Sequence, residues 1–149
     1  MHLPRTILVP IEIGSHAEPV LDYAVALAAK LDAKLHLLHV ATPPLIGFEV
    51  STAVTEIAMA DLMAQLQQQI DLLAAARASK APFGPTLLRV GDAASVIVQA
   101  AAELHADLIV MGTHGRRGIA RLVLGSVAEQ VARNSHCPVL LLREGASAA

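Results

Sequence analysis

DLIVMGTHGRRGIARLVLGSVAEQVA, residues 107–132, is the stretch that decides how this chain folds. Residues 107–111 form a short, almost wholly apolar run, the pattern of a strand covered on both faces. Four glycines (Gly112, Gly115, Gly118, Gly125) and three arginines (Arg116, Arg117, Arg121) then fall within fourteen residues, with no acidic side chain until Glu129. Beyond them Val127, Ala128, Val131 and Ala132 recur at helical spacing. The order is strand, glycine-and-arginine loop, helix.

The same alternation continues in both directions. Downstream, PVLLL at 138–142 is another apolar strand, and residues 144–149 read as a flexible tail. Upstream, Val96, Ile97, Ala100, Ala101 and Leu104 mark a helix facing the sheet, with Gly91 and Asp92 supplying its cap. TLLRV at 86–90 is a strand. Before it, Met59, Leu62, Met63, Leu66, Ile70 and Leu73 stripe the longest helix, predicted over 52–81 and stopped by Pro82, Gly84 and Pro85. Residues 42–51, with Pro43, Pro44 and Gly47, are a loop. KLHLLHV at 34–40 and TILVPI at 6–11 are strands, and between them Val20, Ala24, Leu27, Ala28 and Leu31 outline a helix over 17–32. Strands that are continuous apolar runs, each followed by a helix, predict a doubly wound α/β domain with a parallel sheet and helices on both faces. Residues 1–143 are expected to form that one domain.

Composition narrows the function. The 149 residues are 54% apolar and 16% charged, enough to bury a core without staples. A net charge of -2 and an aromatic content of 2% offer neither a general pull on nucleic acid nor a stacking platform for bases. The one cysteine, Cys137, excludes an intrachain disulfide, and no signal peptide or membrane span is readable, so a cytoplasmic location is expected.

In open parallel sheets, ligands sit beyond the carboxyl ends of the strands, where strand order reverses. The loop after the fourth strand is therefore the first candidate. Gly125 and Ser126 open its helix, where free amides, the positive helix end and the Ser126 hydroxyl favour a phosphate. Neither GxxxxGK[ST] nor GxGxxG after the first strand is present. The alternative is a turn that uses glycine only for backbone freedom, with Arg116, Arg117 and Arg121 as solvated surface charge.

Gly112, two residues, Gly115, nine residues, then Gly125 and Ser126 match the G-x2-G-x9-G-[ST] pattern, and with ILVPI, LHLLHV, ADLIVMGTHG, LVLGSVAEQV and HCPVLLLR the chain resembles the ATP-binding branch of the universal stress protein family. The resemblance implies a Rossmann-like sheet of five strands in the order 3-2-1-4-5, with ATP bound beside the first and fourth. Under it Pro10, Ile11 and Glu12 lie beside the adenosine and Val40 meets the adenine. Met111 and Gly112 line the ribose and phosphate entry, with His114 adjacent to the ligand. Gly115, Gly125, Ser126 and Val127 surround the phosphates, while the motif leaves the positions of Arg116, Arg117 and Arg121 free, so these are either phosphate-facing charge or solvated surface. Mg2+ or Mn2+ is carried by the triphosphate. Members of that branch usually have Asp where this chain has Glu12, which keeps the charge and displaces the carboxylate.

The resemblance also implies a homodimer through the last strand, from Pro138 to Leu142, and a stress-response regulator or sensor with an unidentified protein partner. Two alternatives stay open: slow ATP hydrolysis or phosphoryl transfer at the same site, and a structural partner-binding protein with an empty pocket. Glu12 reads as a hydrogen-bond acceptor and not as a catalytic base. His36 and His39, three apart on a strand, point to opposite faces and bind no common metal. Cys137 reads as core.

Overall fold

The computed structural model describes residues 2–14, 17–42, 52–113 and 124–143. In chain order they form β1 (Thr6–Pro10), α1 (Ala17–Leu31), β2 (Lys34–Ala41), α2 (Thr52–Ala75), β3 (Leu87–Val90), α3 (Ala93–Glu103), β4 (Leu108–Gly112), α4 (Ser126–Asn134) and β5 (Val139–Leu142). The strands make one five-stranded parallel sheet in the order β3-β2-β1-β4-β5. The expected loop at 42–51 lies outside the described residues from 43 onward, as does the expected tail at 144–149.

Alternation along each strand builds two cores. Ile7 and Val9 of β1, Leu35 and Leu37 of β2 and Val110 of β4 join Val20, Leu21, Ala24 and Ala28 of α1 and Ile70 and Ala74 of α2 on one face. Leu8, Leu38, Ile109 and Met111 join Ile97, Ala100 and Ala101 of α3 and Ala128 and Val131 of α4 on the other. Both β1 and β4 are thus covered on two sides, which is why their sequences run apolar without alternating.

Short closing turns keep the helices over the sheet. After α1 and α3 the chain turns through Asp32 and His105, both at positive φ (53° and 49°). The Ala33 and Ala106 amides then reach back to the Ala28 and Ala101 carbonyls at 3.0 and 2.9 Å, each ending its helix and aiming the chain at the next strand.

Two helical expectations are corrected. The long helix ends at Ala75, not at residue 81. From there the Arg77, Ala78 and Lys80 amides bond carbonyls three residues back, and buried Arg77 donates from Nε to Asp22 of α1 at 2.7 Å and from an η nitrogen to the Leu73 carbonyl. That ion pair holds the end of α2 against α1, and it could not be read from a helical stripe. Leu62, assigned to the stripe, is 42% exposed, because only the C-terminal part of α2 is drawn into the core at Ile70 and Ala74. The last helix runs through Val127, Ala128, Val131 and Ala132 as expected, and its buried face is Ala128 and Val131.

Candidate nucleotide-binding cleft

β1 and β4 are neighbours in the sheet, and the chain crosses to opposite faces after them, so their carboxyl ends part to leave a crevice. A cleft of about 150 Å³ opens there. Its floor is Pro10 at the end of β1 with Ile11 and Glu12 after it, and Met111, Gly112 and Thr113 at the end of β4; Leu38 and Val40 of β2 continue one wall. Val20 of α1 and Ile97 of α3 close the sides, and Gly125, Ser126 and Val127 form the rim. The walls are mainly aliphatic, so polar recognition is left to a few side chains and to the backbone.

Nine of the residues singled out from sequence come together in this cleft: Pro10, Ile11, Glu12, Val40, Met111, Gly112, Gly125, Ser126 and Val127. Met111 is buried, Pro10 and Val40 are half-buried, and Glu12 and Ser126 are exposed at the mouth. His114, Gly115, Arg116, Arg117 and Arg121 lie outside the described residues. Sequence reasoning missed Thr113, which sits inside the glycine spacing between two residues it did single out. It also missed Ala17, Val20, Leu38, Ala93, Ile97 and Ala128, which line the cleft from elements read only as core. Their signal is position: each lies at the strand-end side of its element.

The backbone around the cleft is fixed by specific bonds. The Ile11 amide donates to the Leu38 carbonyl at 2.8 Å, one step beyond the last residue of β1. His39 Nδ1 then donates to the Ile11 carbonyl at 2.9 Å. On the other side the Gly125 amide donates to the Thr113 carbonyl at 2.8 Å, and the Thr113 amide to the Leu142 carbonyl at 2.9 Å. The start of α4 is thereby tied to the ends of β4 and β5.

Three helices begin beside the cleft, α1 at Ala17, α3 at Ala93 and α4 at Ser126, and the starts of α3 and α4 differ in charge. At α3 the N-cap is Asp92, whose carboxylate accepts from the Ser95 amide at 3.1 Å and the Ser95 hydroxyl at 2.7 Å. Those bonds, the hydroxyl's first, hold its pKa below the ordinary carboxylate value. At α4 the N-cap is Gly125, with no side-chain capping bond, and the first intrahelical bond runs from the Glu129 amide to the Gly125 carbonyl at 2.9 Å. The amides of Ser126, Val127 and Ala128 therefore have no acceptor within their own helix. One helix start is already neutralised by a carboxylate. The other presents amides and the positive end of the helix dipole to the rim.

The histidines of β2 are placed as their spacing requires, on opposite faces. His36 Nδ1 donates to the Pro85 carbonyl at 3.1 Å, away from His39. Among the described residues no group of three or more His, Cys, Asp or Glu side chains could hold a metal ion. Cys137 is half-buried beside the α3–α4 core, its sulfur 3.4 Å from the Ser135 hydroxyl.

Comparison with known proteins gives the family. The profile of the universal stress protein family matches residues 4–143. A universal stress protein of Thermus aquaticus is 34% identical over 145 residues, 93% of this chain and 98% of its own length. One from Methanocaldococcus jannaschii, MJ0531, is 30% identical over 149 residues, 96% of this chain and 84% of its own. Among solved structures, the hypothetical protein MJ0577 superposes with a TM-score of 0.82 at 25% identity, covering 98% of this chain and 100% of its own. A universal stress protein crystallised in complex with cAMP superposes at 0.67 with 27% identity, covering 97% and 100%. The chain belongs to the universal stress protein family.

Proposed function

We propose that this protein binds ATP in the cleft between β1 and β4 and acts as a nucleotide-dependent regulator or sensor in stress response, without efficient catalysis. The observation that carries the reading is the uncapped start of α4. Gly125 leaves three amides and a positive helix end at the rim of an otherwise aliphatic cleft, while the neighbouring helix start carries its own carboxylate at Asp92. An anion has a favourable place at the start of α4, and an apolar ring has a cavity beside it.

In this reading the base lies against Leu38, Val40 and Ile97. The β1–β2 register runs from Thr6↔Lys34 to Pro10↔Leu38, so Val40 lies beyond the last paired residue and its backbone can meet the edge of a base. Glu12, Met111 and Gly112 take the ribose, and Gly125, Ser126 and Val127 take the phosphates. His114, Gly115, Arg116, Arg117 and Arg121 belong to the proposal through the sequence pattern alone. Mg2+ or Mn2+ arrives on the triphosphate. The relative crystallised with cAMP supports a site for adenosine carrying phosphate. A homodimer through β5 is part of the proposal, because among the described residues β5 pairs with β4 alone and ends the sheet.

Purified protein, denatured and assayed for released nucleotide, followed by calorimetry with ATP, cAMP and adenosine, tests the reading. ATP released intact, and affinity in the order ATP above adenosine, is the expected result. Recovery of ADP or AMP on incubation with ATP transfers the site to a slow hydrolase. Absence of affinity for all three ligands overturns nucleotide binding.

A further inference from the structure

His39 is 5% exposed and lies in β2 between Leu38 and Val40, two residues that line the cleft. Its own side chain points to the face of Leu35 and Leu37, and it is not among the residues that line the cleft. What it touches is the Ile11 carbonyl, at 2.9 Å through Nδ1. A carbonyl only accepts, so Nδ1 carries the proton. In a parallel ladder continued past the Ile11-to-Leu38 bond, the next donor to that carbonyl would be the Val40 amide. The imidazole occupies that place.

We infer that His39 is the positioning residue of the cleft: its ring terminates the β1–β2 ladder at Ile11, holds Glu12 at the mouth, and leaves the Val40 backbone to the nucleoside. The inference rests on the nucleotide reading above and deepens it. It assigns to a buried histidine control over the nucleoside end of the site, 28 residues away in sequence from the carbonyl it holds, while the phosphate end at α4 is held independently through Thr113. The His36 ring makes the same kind of bond to Pro85 and lines no part of the cleft, which makes it the natural control.

The test is calorimetry of adenosine, ATP and tripolyphosphate against wild type, His39→Leu, His39→Asn and His36→Asn, with thermal melts of each. Losing the donor strands a buried carbonyl, so His39→Leu should bind adenosine and ATP both about tenfold or more weakly, with tripolyphosphate unchanged. Asparagine places a nitrogen donor at the same distance from the backbone as Nδ1, so His39→Asn should recover most of the adenosine affinity. His36→Asn should lower the melting temperature and leave adenosine affinity unchanged. Equal losses for adenosine and tripolyphosphate, or a folded His39→Leu that binds adenosine as wild type does, overturn the inference. Failure of His39→Asn to restore affinity does so too. Wild type without affinity for adenosine or ATP is the separate result that sinks the nucleotide reading, and the inference with it.

Discussion

The Gly125 amide donates to the Thr113 carbonyl at 2.8 Å, joining the two ends of the loop that separates β4 from α4. A backbone bond therefore ties the start of α4, with its unshared first amides, to the end of β4. Gly125 itself sits at φ -60° and ψ 149°, extended backbone open to every residue type. Asp92 at the start of α3 has nearly the same conformation, φ -72° and ψ 120°. Glycine at 125 is thus not demanded by the local backbone. It leaves the helix start without a charge of its own.

A capping carboxylate placed there should separate stability from binding. Gly125→Asp should stabilise the fold by a few tenths of a kcal/mol, the usual gain of Asp over Gly at an N-cap. The same carboxylate opposes phosphate, so ATP affinity should fall at least about tenfold through like-charge repulsion and loss of charge-assisted amide bonds. Adenosine affinity should be unchanged. Thermal melts and titrations of the two ligands measure both halves, and a Gly125→Asp protein that binds ATP as wild type does removes α4 from the site.

The pH dependence of stability should centre on Asp107. Its carboxylate accepts from the Arg5 amide at 2.9 Å, the Thr6 amide at 3.0 Å and the His2 ring at 3.0 Å, fastening the start of β1 to the start of β4. The Arg5 amide foremost, with Thr6 and His2, holds its pKa below the ordinary carboxylate value. A depressed folded pKa means that the contribution is complete above the unfolded value and is lost as pH falls through the folded one. Asp107→Asn should cost about 1–2 kcal/mol at pH 7, and the gap from wild type should narrow below about pH 4. Melting temperatures across that range check it; a gap that widens in acid contradicts the assignment.

The legible parts of this molecule are those where sequence neighbours decide the outcome. Apolar runs at 6–11 and 107–111 and the extended pattern at 34–40 announced strands, and the β3-β2-β1-β4-β5 order implied by the family resemblance is the order of the sheet. Asp92 announced its own helix, since a cap acts on the amides of the next residues. What stayed hidden depends on distant partners. The early end of α2 is held by Arg77 on Asp22, 55 residues away. Ile97 and Val20 read as ordinary core positions, and only the assembled sheet brings their strand-end turns to a shared cleft.

Gly84 should prove necessary for a steric reason. A Cβ built there would fall on the imidazole of His36, which is held in place by its bond to the Pro85 carbonyl, while the Gly84 amide pairs with the Leu35 carbonyl at 2.8 Å. Neither ring nor backbone is free to retreat. Gly84→Ala should cost about 1–3 kcal/mol, as overpacking does. His36→Ala makes room, so the double variant should recover part of that loss. A denaturant double-mutant cycle measures the coupling; additive losses would mean that the ring moves aside without cost.

The proposed dimer makes the last prediction. β5 is a sheet edge, and its side chains are already used: Leu140 and Leu142 pack on the α1 face, Val139 and Leu141 on the α3–α4 face. What remains at the edge is backbone. The Ile109 amide bonds the Pro138 carbonyl and the Thr113 amide the Leu142 carbonyl, so residues 138, 140 and 142 face β4, while Val139 and Leu141 turn their amides outward. An unpaired edge of this kind is a template for a second copy. Leu141→Pro removes an outward donor and leaves every bond to β4 in place, so the protein should stay folded and become a monomer. Leu140→Pro removes an inward donor and should cost stability instead. Light scattering over a concentration series, with circular dichroism of each variant, separates the two effects. A Leu141→Pro protein that remains dimeric would move the interface away from β5, and a wild type that is monomeric at high concentration would remove it altogether.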